Sequence, residues 1–436
     1  MRHLQTKQNA IYGKTLLGIL LVTPVALWLS HVGLAAITSS PAVYIKALGK
    51  ACAFIGITAY SIEPVLSMRH KLIEKLFGGL DHLYRLHIKA GKLSFFFILA
   101  HPLLLALGGF MGGSTILTIW NWGSTAVLLG IFSLVAIIIL TIFSVYAHLK
   151  HQRWVAVHRL FGWIVPLLFI HALLSKSQLT TIRPLFIYII TISSLGFVAF
   201  LYRSVFSTFI RKYRYEIAEV HKVNESVTEL VLKPLGIPLI YNSGQFAYMS
   251  LRSKGLDGEA HPYSFTTANN GPYIRFAIKE LGDDTANMKW LVPGIKVFLE
   301  GPHGNFSYLN SKANRQVWIA GEVGIAPFLS MARSLKKGTS YHVHLFYAAN
   351  KLQDTVFLNE LIAIHKTIPE NFEFTLVNRE WSGFVTIEFL SGYIEDFTKD
   401  DYFICGPLLM TRNLKADLIN KGVSKQNIFI EEFSVM

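Results

Sequence analysis

The sequence predicts three parts in series: a six-span α-helical membrane bundle, a small antiparallel β-barrel, and an α/β domain. Three observations carry this. Long apolar runs dominate up to about residue 206. Beyond Arg211, short runs alternate apolar and polar residues, as half-buried strands do. In the last third, strand-like and helix-like segments take turns, the pattern of a parallel sheet covered on both faces. The corresponding boundaries are 1–210, 211–308 and 309–436.

The apolar stretches lie at about 15–37, 43–66, 84–107, 124–147, 156–174 and 184–206. Each is near the roughly 18–25 residues that cross a bilayer. Lys46, Lys50 and Glu63 interrupt the second. The amino terminus has the basic start of a signal peptide, but no small-residue cleavage pattern closes the first run, so a retained helix is expected. Lysines and arginines cluster before the first span, between the second and third, between the fourth and fifth, and after the sixth. Lys176 and Arg183 are exceptions. The balance places both termini and the soluble part in the cytoplasm. A net charge of +14 could suit nucleic acid. Here the basic residues flank apolar spans, and no basic stripe is interleaved with stacking aromatics, so the expected partner is lipid and not nucleic acid. Cys52 and Cys405 form neither a disulfide framework nor a zinc spacing.

The third span carries His87 and His101, fourteen residues apart, and the fifth carries His158 and His171, thirteen apart. At 1.5 Å per residue, each pair spans about 20 Å of helix. Both helices run the same way, so His87 matches His158 in depth and His101 matches His171. Facing imidazoles at two levels are what two bis-histidine haems require. A single histidine would read more simply as a polar residue bonded inside a bundle; the paired set favours haem. Gly91 and Gly162 each follow a histidine by four residues, on the same helix face, and are expected to clear room for a porphyrin. Lys89, Lys92 and Arg159 are candidates for its propionates. At about 100° per residue, thirteen residues miss the same face by about 140°. A kink at Pro166 is the expected remedy.

In the barrel segment, Tyr263, Ser264 and Thr266 in HPYSFTTA could offer a ring and hydroxyls to one ligand such as a flavin; an ordinary strand is the plainer reading. Thr285, at a helix start that the pattern predicts, and its neighbouring amides could take a pyrophosphate or simply cap the helix. Gly321–Glu322–Val323–Gly324 joins a strand to a helix where a dinucleotide's phosphates would sit, although it is not G-x-G-x-x-G.

Taken together, these residues resemble the ferric reductase and NADPH oxidase superfamily, and most closely its bacterial ferric-reductase-like transmembrane flavocytochrome b members, over nearly the whole chain. The resemblance implies a ferredoxin-reductase-like FAD barrel and a nucleotide-binding α/β domain. It implies that His87, His101, His158 and His171 ligate two b-type haems. His261, Pro262, Tyr263 and Ser264 would touch FAD, with Thr285 near its pyrophosphate. Gly301–Pro302–His303–Gly304 is similar to the family's GPYG. Gly321, Gly324 and Pro327 belong to the nucleotide loop, and Cys405–Gly406–Pro407 matches the family's CGP at the nicotinamide end. The chain departs from the pattern in three places. Glu322 replaces a usual glycine, Ala326 replaces a usual threonine, and Phe433, the candidate to cover the flavin, is followed by three more residues.

The implied activity is a transmembrane oxidoreductase, with NAD(P)H and a small acceptor as substrates. NAD(P)H yields two electrons at once and haem iron accepts one, so a flavin stands between them. The expected acceptor is a ferric chelate. The alternatives are oxygen, as in a superoxide-producing oxidase, or a periplasmic partner protein. Lys351, which comes after Asn350, and Arg379 each follow a strand; either basic residue could bind a 2′-phosphate, a plain surface charge being the simpler reading of each, and NADPH is preferred to NADH.

Overall fold

The computed structural model describes residues 2–115, 122–149, 151–175, 178–206, 212–253, 256–311 and 313–431. Two compact units meet at Ile210–Arg211 along the chain, and each is taken by itself.

Among its described residues, the first unit contains six helices long and apolar enough to cross a membrane. They are α1 (Arg2–Val32), α2 (Pro41–Leu66), α3 (Leu80–Met111), α4 (Thr125–Val145), α5 (Phe161–Leu174, led by a short helix His151–Arg159) and α6 (Arg183–Phe200). Local chemistry sets several of their ends. Ser40 caps α2 by accepting from the Val43 amide at 3.3 Å, with Pro41 in the first turn, where no amide proton is needed. Gly78 ends the helix before α3 in the left-handed conformation, φ 81°.

Lipid offers no hydrophobic drive between helices, so close backbone approach must hold the bundle. At Gly196 of α6, an added Cβ would lie 1.9 Å from the Ser61 carbonyl of α2, and Ser61 and Ser193 hydroxyls meet beside it at 3.3 Å. Two of the three charges that interrupt the second span, Lys50 and Glu63, are partnered. Lys50 donates to Gln178 Oε1 at 3.2 Å, which Trp28 also reaches at 2.7 Å. Glu63 meets His87.

The second unit opens with a barrel: β1 (Tyr213–Lys222), β2 (Val227–Pro234), β3 (Phe246–Ser253), β4 (Leu256–Asp257), β5 (His261–Ser264), β6 (Ile274–Lys279) and β7 (Lys296–His303). The order is β4-β3-β7-β1-β2-β6, all antiparallel, and β5 pairs with β3. A bridge from Phe265 to Phe276 brings the end of β5 to β6, which nearly closes the ring. Inward residues such as Tyr215, Leu230, Phe265, Phe276 and Leu299 fill it.

The α/β domain follows, with β8 (Arg315–Gly321), β9 (His342–Ala349), β10 (Phe372–Asn378), β11 (Asp401–Cys405) and β12 (Ile428–Glu431). Every strand pairing is parallel, in the order β10-β9-β8-β11-β12. Two clusters of buried residues lie against the sheet, one around Trp318 and Phe328, the other around Ile319 and Leu390. The chain steps outward from β8 to β10, then returns to place β11 on the other side of β8. That reversal makes the carboxyl ends of β8 and β11 a topological switch point, where such sheets open a crevice for ligands.

Candidate functional site

In the membrane unit, the rings of His87 and His158 face each other at 6.0 Å between centroids, inclined by 68°. His158 lies flat on Trp154 at 4.7 Å and edge-on to Phe161 at 5.3 Å. The remaining bonds follow one rule. His101 Nδ1 donates to the Gly49 carbonyl at 2.9 Å, and His171 Nδ1 to the Ala126 carbonyl at 2.7 Å. His87 Nδ1 lies 3.2 Å from the Glu63 carbonyl and 2.5 Å from its Oε2. A carbonyl can only accept, so Nδ1 carries the proton and Nε2 keeps its lone pair. This is how a metal-binding imidazole is usually oriented. His158 Nδ1 is buried with no hydrogen-bond partner among the described residues.

These four side chains fit axial ligation of haem iron, which asks for two imidazoles and takes its other ligands from the porphyrin. Among the described residues, no three His, Cys, Asp or Glu side chains gather as a bare ion would require.

Two expectations need correction. The room expected beside each histidine is taken up differently: a Cβ on Gly162 would lie 2.0 Å from the Phe200 ring, so that glycine admits Phe200, and Gly91 faces the Glu63 carboxylate. The glycine that does serve a histidine is Gly130, where a Cβ would sit 2.6 Å from His171 Cε1. The change of phase between His158 and His171 occurs at Leu160, not at Pro166. Leu160 bonds back to Val157 at 3.0 Å, and Trp163 bonds back to Leu160 at 3.1 Å, which separates the two helices. Pro166 lies within α5, and Lys89, Lys92 and Arg159 are exposed.

In the barrel, β5 aligns His261, Pro262, Tyr263 and Ser264 opposite Met249, Tyr248, Ala247 and Phe246. Successive residues of a strand point to opposite faces. Tyr263 accordingly leans on Phe276, whereas the Ser264 hydroxyl is buried with no partner among the described residues. Thr266 does not join them: it is fully buried, with its hydroxyl 3.4 Å from Glu229. Thr285 serves its own loop, accepting from the Leu281 and Gly282 amides at 2.8 and 3.0 Å. At the end of β7, Gly301 packs on Ala247 of β3, and His303, which follows Pro302, is buried against Phe246 and Tyr248.

At the switch point, the expected nucleotide residues converge. A Cβ on Gly324 would lie 2.4 Å from the Cys405 carbonyl, and one on Gly321 would lie 2.7 Å from Pro407 Cδ. A Cβ on Gly406 would come within 3.0 Å of Gly321 Cα. Only glycines allow the two strand ends this approach. Cys405 contributes backbone here. Its side chain is 1% exposed, and burial, with Glu431 adding to it, pushes the thiol well above its ordinary range. Pro327 and Ala326 are buried in the first turn of α7 (Ile325–Ser334). Phe433 lies outside the described residues.

Glu322 adopts φ 50°, a left-handed conformation that a glycine takes freely and other residues hold at a cost of about 1–3 kcal/mol. Its carboxylate accepts from Asn350 Nδ2 at 2.8 Å and pairs with Lys279 of β6. Arg379 stacks on Phe384, 4.5 Å from the ring centroid. Sequence reasoning missed Gly130, Lys279 and the pairing of Glu63 with His87. For Glu63 a signal existed, since a carboxylate inside an apolar span marks a partnered site.

Comparison with known proteins agrees with this layout. Residues 32–169 match the ferric reductase like transmembrane component, 212–307 an FAD-binding domain, and 318–416 the oxidoreductase NAD-binding domain. Flavohemoprotein A of Dictyostelium discoideum is 32% identical over 238 residues, 49% of this chain and 58% of that protein. The glycine betaine monooxygenase reductase subunit of Chromohalobacter salexigens is 26% identical over 44% of this chain and 56% of its own. The chain thus spans a little over half the length of these curated relatives. Among solved structures, the flavohem-like FAD/NAD binding domain of nitric oxide dioxygenase from Vibrio cholerae aligns over 51% of this chain and 98% of that one. Its identity is 24% and its TM-score 0.43. With a ferric-reductase-like transmembrane component followed in one polypeptide by FAD- and NAD-binding domains, the chain matches the ferric reductase and NADPH oxidase-like superfamily.

Proposed function

We propose that the protein is an NAD(P)H-dependent transmembrane reductase that moves electrons through FAD and two b-type haems to an extracytoplasmic ferric chelate. The observation that carries the reading is the common state of His87, His101 and His171, each with Nδ1 donating to a backbone carbonyl of a neighbouring helix. The bond turns each ring and leaves Nε2 free to ligate iron. His87 with His158 would hold one haem, and His101 with His171 the other.

A flavin accepts two electrons from a reduced nicotinamide and releases them singly, which matches the one-electron capacity of haem iron. The chain's own part is to bind, orient and exclude water. The Ser264 hydroxyl is available for a polar edge of the flavin, and Tyr263 supplies ring surface. The glycines at the ends of β8 and β11 let a dinucleotide approach the backbone. The membrane unit supplies apolar walls and fixed imidazoles, and no acid or base is required of it. The reading places the barrel and the α/β domain on the cytoplasmic side of a bacterial inner membrane, with NADPH as donor.

The test uses purified full-length protein loaded with haem and FAD. Anaerobic NADPH should bring up the absorption bands of reduced b-type haem, and ferric chelate should reoxidise them faster than air does. A dominant signal sensitive to superoxide dismutase would make the protein an oxidase. A preparation colourless in the visible range despite ample haem would end the haem assignment.

A further inference from the structure

The nucleotide cleft holds an anion of its own. Glu322 immediately follows Gly321 at the end of β8, the place to which the fold directs a dinucleotide's phosphates. Its two carboxylate oxygens are held from two different directions. Asn350, just beyond β9, donates to Oε1 at 2.8 Å. Lys279, the last residue of β6 in the barrel, pairs with Oε2. The Lys279 and Glu322 side chains are only 25% and 28% exposed, so solvent screens the pair weakly. The left-handed backbone at Glu322 is held in place while these partners grip its side chain.

An incoming diphosphate would meet a carboxylate that repels it and a lysine already neutralised by that carboxylate. One ammonium group cannot be fully paired with both anions. We propose that Glu322 is a latch: it ties the barrel to the α/β domain through Lys279, and a dinucleotide binds by drawing Lys279 from Glu322 to its diphosphate. Glu322 then sets affinity by competition, and its release loosens a tie between the flavin and nucleotide parts. The inference rests on the reading of this cleft as the NAD(P)H site.

The experiment is a calorimetric titration of the full-length, FAD-loaded protein with NADP⁺ and separately with NAD⁺, oxidised forms that bind without reducing the flavin. Glu322→Gln keeps the size and removes the charge, and should bind about tenfold tighter. Lys279→Met should bind about tenfold weaker. In the double variant, removing Glu322's charge should bring a smaller gain, because only direct repulsion is relieved and the lysine it withholds is gone. Glu322→Gly relieves the backbone as well, so it should bind tighter and unfold at a higher temperature. Unchanged or weaker binding by both Glu322→Gln and Glu322→Gly would overturn the latch, as would equal gains from Glu322→Gln with and without Lys279. If neither dinucleotide binds the unsubstituted protein or any variant, the nucleotide-site reading itself fails.

Discussion

The two units hold their candidate functional groups by opposite means. In the membrane unit, polar side chains reach across to main-chain carbonyls of other helices. His101 does so at Gly49, His171 at Ala126, Tyr60 at Phe161 and Tyr188 at Leu20. In the second unit, the candidate groups sit at strand ends, where glycines bring backbones together and side chains pair with side chains, as Glu322 does with Lys279 and Asn350. The difference follows from solvent. Hydrocarbon offers no hydrogen bonds, so a polar side chain there must find a protein acceptor, and helix carbonyls with a spare lone pair are the commonest supply. At a water-exposed cleft, the constraint is room for the ligand.

If this contrast holds, removing a membrane histidine should have the largest effect. His101→Ala should abolish one of two haem signals and stop electron delivery to ferric chelate. That loss exceeds the about 10–100-fold typical when only a ligand's outer partner is removed. A two-haem spectrum with unchanged turnover would break the assignment.

Gly130→Ala comes next. Its Cβ would press on His171 Cε1 from 2.6 Å, so the ring must leave the Ala126 carbonyl. The expected result is a weakened or shifted haem spectrum, with a stability cost of about 1–3 kcal/mol. Gly18→Ala is the control, since nothing lies within 4 Å of a Cβ there. Equal spectra in both would show that the His171 contact does not matter.

Ser264→Ala probes the other unit. Its hydroxyl is buried without a partner among the described residues, so the apoprotein should lose no stability. FAD affinity should fall by about threefold to tenfold, the worth of one hydrogen bond. Titration of the apoprotein with FAD measures it, and unchanged affinity would take Ser264 out of the flavin site.

The smallest effect is on pH dependence. Burial raises the Glu229 carboxyl above its usual range, against the pull of Arg333 and Arg275. A carboxyl whose folded pKa is raised contributes stability below its unfolded pKa and loses it as pH rises through the folded value. Glu229→Gln should therefore match the parent at low pH and gain on it towards neutrality. Thermal melts of the second unit's transition at several pH values would check the sign.

How much could be read in advance differs between the units for the same reason. The six spans were legible because a helix in lipid needs a continuous apolar run, and the paired histidines because a charged or polar residue inside such a run is costly. Pro166 was a visible signal for a kink, yet the break formed at Leu160, where short-range bonds decided it. Gly91 and Gly162 looked equivalent by spacing, but neighbours from other helices gave them different tasks. In the second unit, alternation marked the strands, while the orientation of Tyr263 and Ser264 depended on pairing with β3 and β6.

The sequence by itself determined the order of parts, the spans, the histidine set and the glycine-bearing turn after β8. These are local properties, written in hydropathy, spacing and backbone freedom. Only the tertiary structure decided that Gly130 makes way for His171, that Thr266 turns inward to Glu229, and that Glu322 is held between Lys279 and Asn350. Each of those depends on a residue distant in the chain, and periodicity carries no information about which distant residue arrives.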